Sequence, residues 1–233
     1  MTPTPLNDPP LGIVLAAGAG SRFAGSMHKL LAPIDSVSVI RRSVSVARAA
    51  AESGHLSDVV VVVPARDADG DALRYELAGL VCRFAANPDP TIGIAGSLRV
   101  AVEVGTRTDA EHLVIGLGDQ PFTSVEAWQA VASANTTRRF VVAGYTDLST
   151  PDGVRLAPPV RIARSAWGDL PTTGDHGARR LWQHHPDDVE TIAVDGNPLD
   201  IDTVDDLAEA EQWHMASASK RPSDRPLGPE GNA

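Results

Sequence analysis

Short apolar runs alternate with amphipathic segments from the N-terminal region to residue 144. Each run is short enough to be a buried strand, and each intervening segment has apolar residues at helical spacing. The predicted strands are residues 11–17, 58–63, 80–85, 112–117 and 140–144. The predicted helices are residues 37–51, 67–78, 95–104 and 124–134. This alternation predicts a three-layer α/β fold, in which a mostly parallel, Rossmann-like sheet carries helices on both faces.

The alternation changes after residue 144. Residues 145–161 are rich in Pro, Gly and Asp, which predicts an excursion with a hairpin that continues into a short helix at 163–170. A turn beginning at Thr173 is predicted to run into a helix. A strand at 189–194 and a short extended piece at 199–202 follow.

Caps and composition predict where the domain ends. Ser124 is the predicted cap of the helix at 124–134. Thr203 is the predicted cap of a last helix that ends near Trp213, with Asp206 in the capping-box place where Glu or Gln is usual. Beyond residue 215 the chain offers almost nothing to bury. The predicted organisation is a disordered start at 1–10, one domain at 11–215 with the excursion at about 145–172 on its acceptor side, and a disordered tail at 216–233.

Composition excludes several classes of protein. A chain of 233 residues is long enough for one α/β domain with a substantial core. Its net charge is −10 without a basic cluster, so no nucleic-acid surface is expected, and a nucleotide site here needs local cations or a metal. The lone Cys82 cannot form an internal disulfide and is predicted to be a small core residue. Because a signal peptide and a membrane-length apolar stretch are both missing, we expect a cytoplasmic protein with no membrane contact.

A glycine-rich loop follows the first predicted strand. Gly18 and Gly20 let the backbone turn and approach a ligand closely, and the cations Arg22 and Lys29 follow them. Bare amide groups beside cations suit a polyphosphate. A P-loop would need Lys where Ser26 stands, and the dinucleotide fingerprint lacks its third glycine, so neither common phosphate pattern fits. A glycine turn with two solvated cations is the alternative interpretation.

Two acidic segments are candidates for a metal site. Asp119 follows the strand at 112–117, at the edge where open α/β sheets bind ligands, and Pro121 stiffens its turn. Asp200 and Asp202 are alternate residues of an extended piece, so both side chains can face one cleft. Carboxylates opposite a cationic glycine loop suit a hard divalent cation that bridges phosphate oxygens. The alternative for Asp119 is a turn residue that satisfies its own backbone.

Together these motifs resemble one enzyme family. Five residues match the nucleotidyltransferase signature L-x-x-G-x-G-x-R with a later Lys, and these are Leu15, Gly18, Gly20, Arg22 and Lys29. Further stretches are similar to the molybdenum cofactor cytidylyltransferases, a family of MobA-like nucleotidyltransferases. These stretches are residues 118–121, 173–179 and 200–207, and Asn87 with residues 93–98. The matches extend over nearly the whole of the predicted domain.

The resemblance implies transfer of CMP from CTP to the phosphate of molybdopterin, with release of pyrophosphate, on a fold of the nucleotide-diphospho-sugar transferase type. It implies Mg²⁺ as cofactor and a molybdoenzyme or its chaperone as protein partner. The residues expected to be catalytic are Arg22, Lys29 and Asp119. The expected nucleotide-binding residues are Leu15, Ala16, Ala17, Gly18, Gly20, Ser21, Arg22, Lys29, Asn87, Gly93 and Ser97. The expected acceptor-binding residues are Gln120, Pro121, Asp175, Gly177 and Arg179, and the expected metal ligands are Asp119 with at least one of Asp200 and Asp202.

Two positions depart from the family's pattern and leave alternatives open. His28 stands where many members have Pro, and residues 157–159 read Ala-Pro-Pro where relatives often have Gly-His-Pro, which puts the acceptor in doubt. A sugar 1-phosphate or another small phosphate is an alternative acceptor. A nicotinamide-dependent oxidoreductase is a second alternative, although Phe23 replaces the third glycine of that fingerprint. The third alternative is a chaperone that carries molybdopterin without turnover. The sequence alone does not decide between CTP, GTP and ATP.

Overall fold

A seven-stranded sheet runs through the middle of the protein. The structure is a computed structural model that describes residues 8–18, 20, 23–24, 27–65, 68–174 and 185–219. Its strands are β1 (Leu11–Leu15), β2 (Pro33–Ile34), β3 (Val37–Ser38), β4 (Val59–Pro64), β5 (Arg83–Asn87), β6 (His112–Leu117), β7 (Phe140–Thr146), β8 (Val154–Ala163) and β9 (Val189–Val194). The order across the sheet is β5-β4-β1-β6-β8-β7-β9, and β2 pairs separately with β3. Neighbours in the large sheet are parallel except at β8, which is antiparallel to β6 and β7.

Helices cover both faces of the sheet, as the alternation predicted. The α-helices of the described residues are α1 (Val39–Glu52), α2 (Ala68–Glu76), α3 (Ile94–Arg107), α4 (Val125–Ser133) and α5 (Val204–Ser219). Because successive side chains of a strand point to opposite faces, Val14 packs with α1 and α4 in one core cluster. Its neighbour Ile13 packs with α3 in the other cluster. The two clusters and the sheet between them are the three predicted layers.

The excursion predicted at 145–161 is corrected by the structure. Strand β8 forms a hairpin with β7, but it also lies inside the main sheet between β6 and β7. Pro158 and Pro159 argue against an inner strand in the sequence, because proline has no N–H to donate to a neighbouring strand. The β7–β8 register shifts between Val142 and Ala143, opposite these prolines, so a bulge removes the need for their missing N–H groups.

The predicted caps are present. Ala127 N donates to the Ser124 hydroxyl at 3.0 Å, which caps α4. Asp206 N donates to the Thr203 hydroxyl at 3.1 Å, and Thr203 N donates back to the Asp206 carboxylate at 2.7 Å. This reciprocal pair is a capping box at the start of α5. The helix continues to Ser219, beyond its predicted end near Trp213.

Three other expectations from the sequence have different outcomes. Cys82 is half-buried and packs against the edge of one core cluster, and burial raises the pKa of its thiol. The helix expected after Thr173 falls on residues 175–184, which lie outside the described residues. Within the described part of the chain, no helix combines the length and the apolar composition needed to cross a membrane.

Candidate active site

The site lies where parallel strands β1 and β6 end side by side. Gly118 follows β6, and its amide donates to the carbonyl oxygen of Leu15 at 2.8 Å, while Ser43 donates its hydroxyl to the Gly118 carbonyl at 3.0 Å. A Cβ at Gly118 would lie 2.8 Å from the side chain of Ile40, so this close packing requires glycine. These contacts fix the backbone just before Asp119, at the sheet edge where the sequence placed it.

Lys29 joins two carboxylates at this edge. Its ammonium donates to Asp119 Oδ2 and to Asp202 Oδ1, each at 2.7 Å, and the residue is only 7% exposed. Burial alone would lower the pKa of Lys29, but the attraction and hydrogen bonds of Asp119 and Asp202 outweigh it, so the pKa is raised. Lys29 is therefore charged, and it bonds acidic side chains here.

The acidic segment 200–202 is tied to Asp119 through its backbone. Ile201 is fully buried, and its amide donates to the Asp119 carbonyl oxygen at 2.9 Å. Asp200 and Asp202 flank Ile201, and both line the cleft, as their alternate spacing predicted. The two segments are about eighty residues apart in the chain, and this main-chain hydrogen bond holds them side by side.

Asp200 and Asp202 have different partners. Gln120 donates its side-chain amide to Asp200 Oδ1 at 2.8 Å, and Arg155 donates to Asp200 Oδ2 at 3.2 Å. Burial raises the pKa of Asp200, and the nearby charge of Asp119 adds to this rise despite the two donors. Only Asp202 shares the Lys29 ammonium with Asp119. Asp202 is thus the stronger metal-ligand candidate of the pair.

The described part of the glycine loop is held against Lys29. Gly20 has φ +58, a conformation that favours glycine, and a Cβ there would lie 3.3 Å from Lys29 Cγ, so the loop packs closely against Lys29. His28 Nε2 lies 3.3 Å from the carbonyl oxygen of Gly18, and its Nδ1 accepts the amide of Leu30. His28 therefore connects the glycine loop to the turn that begins at Lys29. The predicted phosphate contacts Ser21 and Arg22 lie outside the described residues.

The opposite wall of the cleft is the N-terminus of α3 and the loop before it. Ser97 accepts a hydrogen bond of 3.1 Å from the side-chain amide of Asn87, which is itself 0% exposed. Ala95 N donates to the carbonyl oxygen of Gly174 at 3.2 Å. This contact brings the chain to the cleft just before the predicted acceptor residues, namely Asp175, Gly177 and Arg179, which lie outside the described residues.

Most predicted site residues of the described chain line one cleft of about 410 Å³. They are Leu15, Ala17, Gly18, Gly20, Lys29, Gly93, Ser97, Asp119, Asp200 and Asp202. Four other predicted residues are buried and are not among the residues that line this cleft: Ala16, Asn87, Gln120 and Pro121. Ala16 packs in the core cluster that contains α1 and α4. Asn87 donates a hydrogen bond to Ser97, and Gln120 donates one to Asp200, so both support residues that line the cleft.

Several lining residues were missed by the sequence analysis. Pro90, Thr91, Ile94 and Leu117 line the cleft. Pro90 and Thr91 belong to a 3₁₀ turn in the loop that joins β5 to α3, and this loop position was the signal that could have identified them. Arg155 was also missed, because its segment was taken for an excursion rather than for strand β8.

The donor set fits a divalent cation shared with a nucleotide. Within the described ranges, no group of three or more His, Cys, Asp or Glu side chains is placed to hold a metal by itself. Asp119 and Asp202 offer two carboxylates that converge on one ammonium. Mg²⁺ at nucleotide sites is commonly held by one or two carboxylates together with phosphate oxygens, so two are sufficient.

Comparisons with known proteins show which family the chain belongs to. Residues 12–191 match the MobA-like NTP transferase domain. A curated relative, the nicotine blue oxidoreductase of Paenarthrobacter nicotinovorans, is 30% identical over 203 residues, which cover 84% of this chain and 93% of the relative. That relative carries the name of an oxidoreductase.

Solved structures give the same fold. Rv0371c from Mycobacterium tuberculosis H37Rv has a TM-score of 0.70 and 28% identity, covering 89% of this chain and 100% of that one. A complex of the same protein with manganese has a TM-score of 0.64 and 25% identity, covering 87% and 97%. A nucleotidyl transferase from Methanothermobacter thermautotroptrophicus, Mth528, has a TM-score of 0.71 and 20% identity, covering 88% and 97%. By sequence match and by fold, the chain belongs to the MobA-like NTP transferase family and is a nucleotidyltransferase.

Proposed function

We propose that this protein transfers CMP from CTP to the phosphate of a molybdopterin-type acceptor and releases pyrophosphate. The observation that carries the proposal is the convergence of Lys29, Asp119 and Asp202 beside the glycine loop, at the carboxyl edge of a parallel sheet. Charge neutralisation and positioning supply most of the catalysis in phosphate-transfer reactions, and this arrangement provides both. The choice of CTP and of molybdopterin rests on the family resemblance of the sequence motifs.

The nucleotide is proposed to lie between the glycine loop and α3. Backbone amides at Gly18 and Gly20, with Arg22 nearby in sequence, would hold the β- and γ-phosphates. The strand-end residues Leu15 and Ala17 face Ser97 across the cleft and would contact the base and ribose. Asn87 is the residue that fixes the Ser97 hydroxyl in this position.

The reaction is an in-line displacement at the α-phosphorus. An acceptor phosphate oxygen forms a bond to this phosphorus, and the bond from the phosphorus to the pyrophosphate oxygen breaks. A divalent cation held by Asp119 and Asp202 would neutralise charge that grows on the leaving pyrophosphate. Lys29 would stabilise the charge around the α-phosphate. The acceptor phosphate is already ionised, so no side chain has to remove a proton from it.

Arg155 is proposed to face the acceptor. It holds Asp200 at 3.2 Å with one of its donors, and its side chain is 41% exposed. A guanidinium that is partly open to solvent can bind an anionic phosphate in a defined direction. It lies in β8, the strand that contains Ala157-Pro158-Pro159, where relatives often have Gly-His-Pro. Asp175, Gly177 and Arg179 remain proposed acceptor contacts, and a molybdoenzyme or its chaperone remains the proposed protein partner.

A second candidate is supported by one observation. The relative with 30% identity is named a nicotine blue oxidoreductase, so an oxidoreductase is the second candidate for this chain. A reduced nicotinamide dinucleotide would then occupy the nucleotide cleft. The converging Lys29, Asp119 and Asp202 favour the first candidate, because hydride transfer does not require carboxylates beside the phosphates.

One assay separates the two candidates. Pyrophosphate release is measured with CTP, GTP, ATP and UTP in the presence of Mg²⁺, with and without molybdopterin. Oxidation of NADH and NADPH is measured in parallel with an electron-accepting heterocycle. We expect molybdopterin-dependent pyrophosphate release that is fastest with CTP. Nicotinamide oxidation without pyrophosphate release from any nucleotide would refute the proposed transfer and establish the second candidate.

A further inference from the structure

Two carboxylates of the cleft share one lysine instead of facing each other unscreened. Asp119 Oδ2 and Asp202 Oδ1 each lie 2.7 Å from the Lys29 ammonium. The side chains of Asp119 and Asp202 are 22% and 31% exposed, so solvent screens their repulsion only in part. The Ile201–Asp119 backbone hydrogen bond keeps the two segments together, so both carboxylates belong to one part of the cleft.

Local contacts hold Lys29 in this position. It begins a 3₁₀ turn, Lys29–Leu31, and the Leu30 amide of this turn donates to the His28 side chain. The methylene stem of Lys29 packs against Gly20, where an added Cβ would come within 3.3 Å. The ammonium is thus a fixed part of the carboxylate pair rather than a solvated side chain that reaches it by chance.

We propose that Lys29 is the resident counter-cation of the Asp119–Asp202 pair, and that a divalent cation takes these carboxylates only when nucleotide phosphates accept the Lys29 ammonium. A cation such as Mg²⁺ bonds carboxylate oxygens at about 2.1 Å. A divalent cation held by the same two carboxylates would lie close to the Lys29 ammonium, and the two positive charges would repel each other. The exchange couples the two ligands, so nucleotide strengthens cation binding and the cation strengthens nucleotide binding.

This inference rests on the proposed function for one element only, namely that the ligand which accepts Lys29 is a nucleotide phosphate. The competition between lysine and metal depends on this chain alone. Lys29→Met removes the charge and keeps most of the stem, and Lys29→Gln keeps an amide donor for one carboxylate. Lys29→Arg is the matched control, because it retains the positive charge.

The test is a calorimetric titration with Mn²⁺ alone, in the absence of any nucleotide. We expect Lys29→Met and Lys29→Gln to bind Mn²⁺ at least about tenfold more tightly than the wild-type chain, while Lys29→Arg binds it as weakly as wild type. Adding Asp202→Asn to Lys29→Met is expected to abolish the gain. Melting curves provide a second readout, since Mn²⁺ should raise the Tm of Lys29→Met more than that of wild type.

Mn²⁺ affinities of Lys29→Met and Lys29→Gln that equal the wild-type affinity would overturn the proposal. If Lys29→Met fails to fold, the same titration on Lys29→Gln decides the question. A wild-type protein that releases no pyrophosphate would refute the proposed transfer but would leave the lysine–metal competition standing. Conversely, an active transferase whose Lys29→Gln variant gains no Mn²⁺ affinity would retain its proposed function and lose this inference.

Discussion

Replacing Asp202 by asparagine perturbs the candidate site with little change in shape. Asp202→Asn keeps one side-chain oxygen, but it leaves the buried Lys29 ammonium with one carboxylate of two. A hydrogen bond to a charged group contributes about 1.5–3 kcal/mol, and relief of the repulsion between Asp119 and Asp202 offsets part of that loss. We therefore expect the free energy of unfolding to fall by only about 1 kcal/mol. Turnover should fall about a hundredfold or more, as when one charge-stabilising group is removed from an active site.

Asp200→Asn is the matched control, because it makes the same chemical change two residues away. The asparagine oxygen can still accept the hydrogen bond from Gln120. The pair with Arg155 that is lost is more than a third exposed on both sides, so it contributes less than about 1 kcal/mol. Burial and the charge of Asp119 already disfavour the ionised Asp200. We expect stability within about 1 kcal/mol of wild type and a turnover loss at least about tenfold smaller than for Asp202→Asn.

Three measurements distinguish these outcomes. Pyrophosphate release with CTP and acceptor gives turnover, its Mg²⁺ dependence gives the metal requirement, and denaturant unfolding gives stability. Asp202→Asn should raise the Mg²⁺ requirement, whereas Asp200→Asn should leave it close to that of wild type. Equal losses of turnover in the two variants would refute the choice of Asp202 as the metal-ligand candidate beside Lys29 and Asp119. A larger loss in Asp200→Asn would favour Asp200 instead.

Two further predictions concern the glycine loop and strand β6. Gly20→Ala should lower the free energy of unfolding by about 1 kcal/mol, because alanine is strained at φ +58 and its Cβ would meet Lys29. Gly18→Ala, whose Cβ has nothing within 4 Å, should keep the stability of the wild-type chain and weaken CTP binding. Denaturation curves and CTP titrations test both variants, and equal stabilities of Gly20→Ala and Gly18→Ala would contradict the reasoning. Burial, and then the charge of Arg161, lower the pKa of His112 from its usual 6.5. Below about pH 6.5 the unfolded chain therefore binds a proton at His112 more readily than the folded chain does. The free energy of unfolding should fall as the pH drops from about 7 to 5. Melting curves of His112→Gln should show a flatter pH dependence, and an unchanged slope would exclude His112 as the cause.

The sequence predicted the sheet edge well because its signals are local. The strand at 112–117 was predicted with its true bounds, since an apolar run there ends at Gly118. Glycines also stop the run that forms β1. Carboxyl ends of parallel strands meet at one edge, so Asp119 and the glycine loop had to lie together.

Strand β8 could not be predicted in the same way, because its sequence violates the usual pattern. Pro158 and Pro159 argue against an inner strand, and Arg161 places a charge where an apolar residue is expected. In the structure Arg161 is 1% exposed, and it donates to the carbonyl oxygens of Ala132 and Ala134 at the end of α4. Burial lowers the pKa of Arg161 to about 10. These hydrogen bonds reach a helix about thirty residues away in the chain, so no local sequence pattern predicts them.

The separate roles of Asp200 and Asp202 were equally hidden. Their spacing predicted a shared face, which the cleft confirms, but it could not say which carboxylate meets which cation. That division depends on Gln120, Arg155 and Lys29, which lie 80, 45 and 173 residues away in the chain. Contacts over such separations are properties of the folded topology rather than of a motif.

The charge of the cleft decides how ligands can enter it. In the described part of the chain, the charged side chains that line the cleft are one lysine and three aspartates, within a protein of net charge −10. A nucleoside triphosphate is itself a polyanion, so these side chains repel it unless positive charge arrives with it. Lys29 cannot supply that charge while it bonds both Asp119 and Asp202. We therefore expect nucleotide and divalent cation to bind together, with the cation replacing the lysine between the carboxylates and the lysine turning to the phosphates.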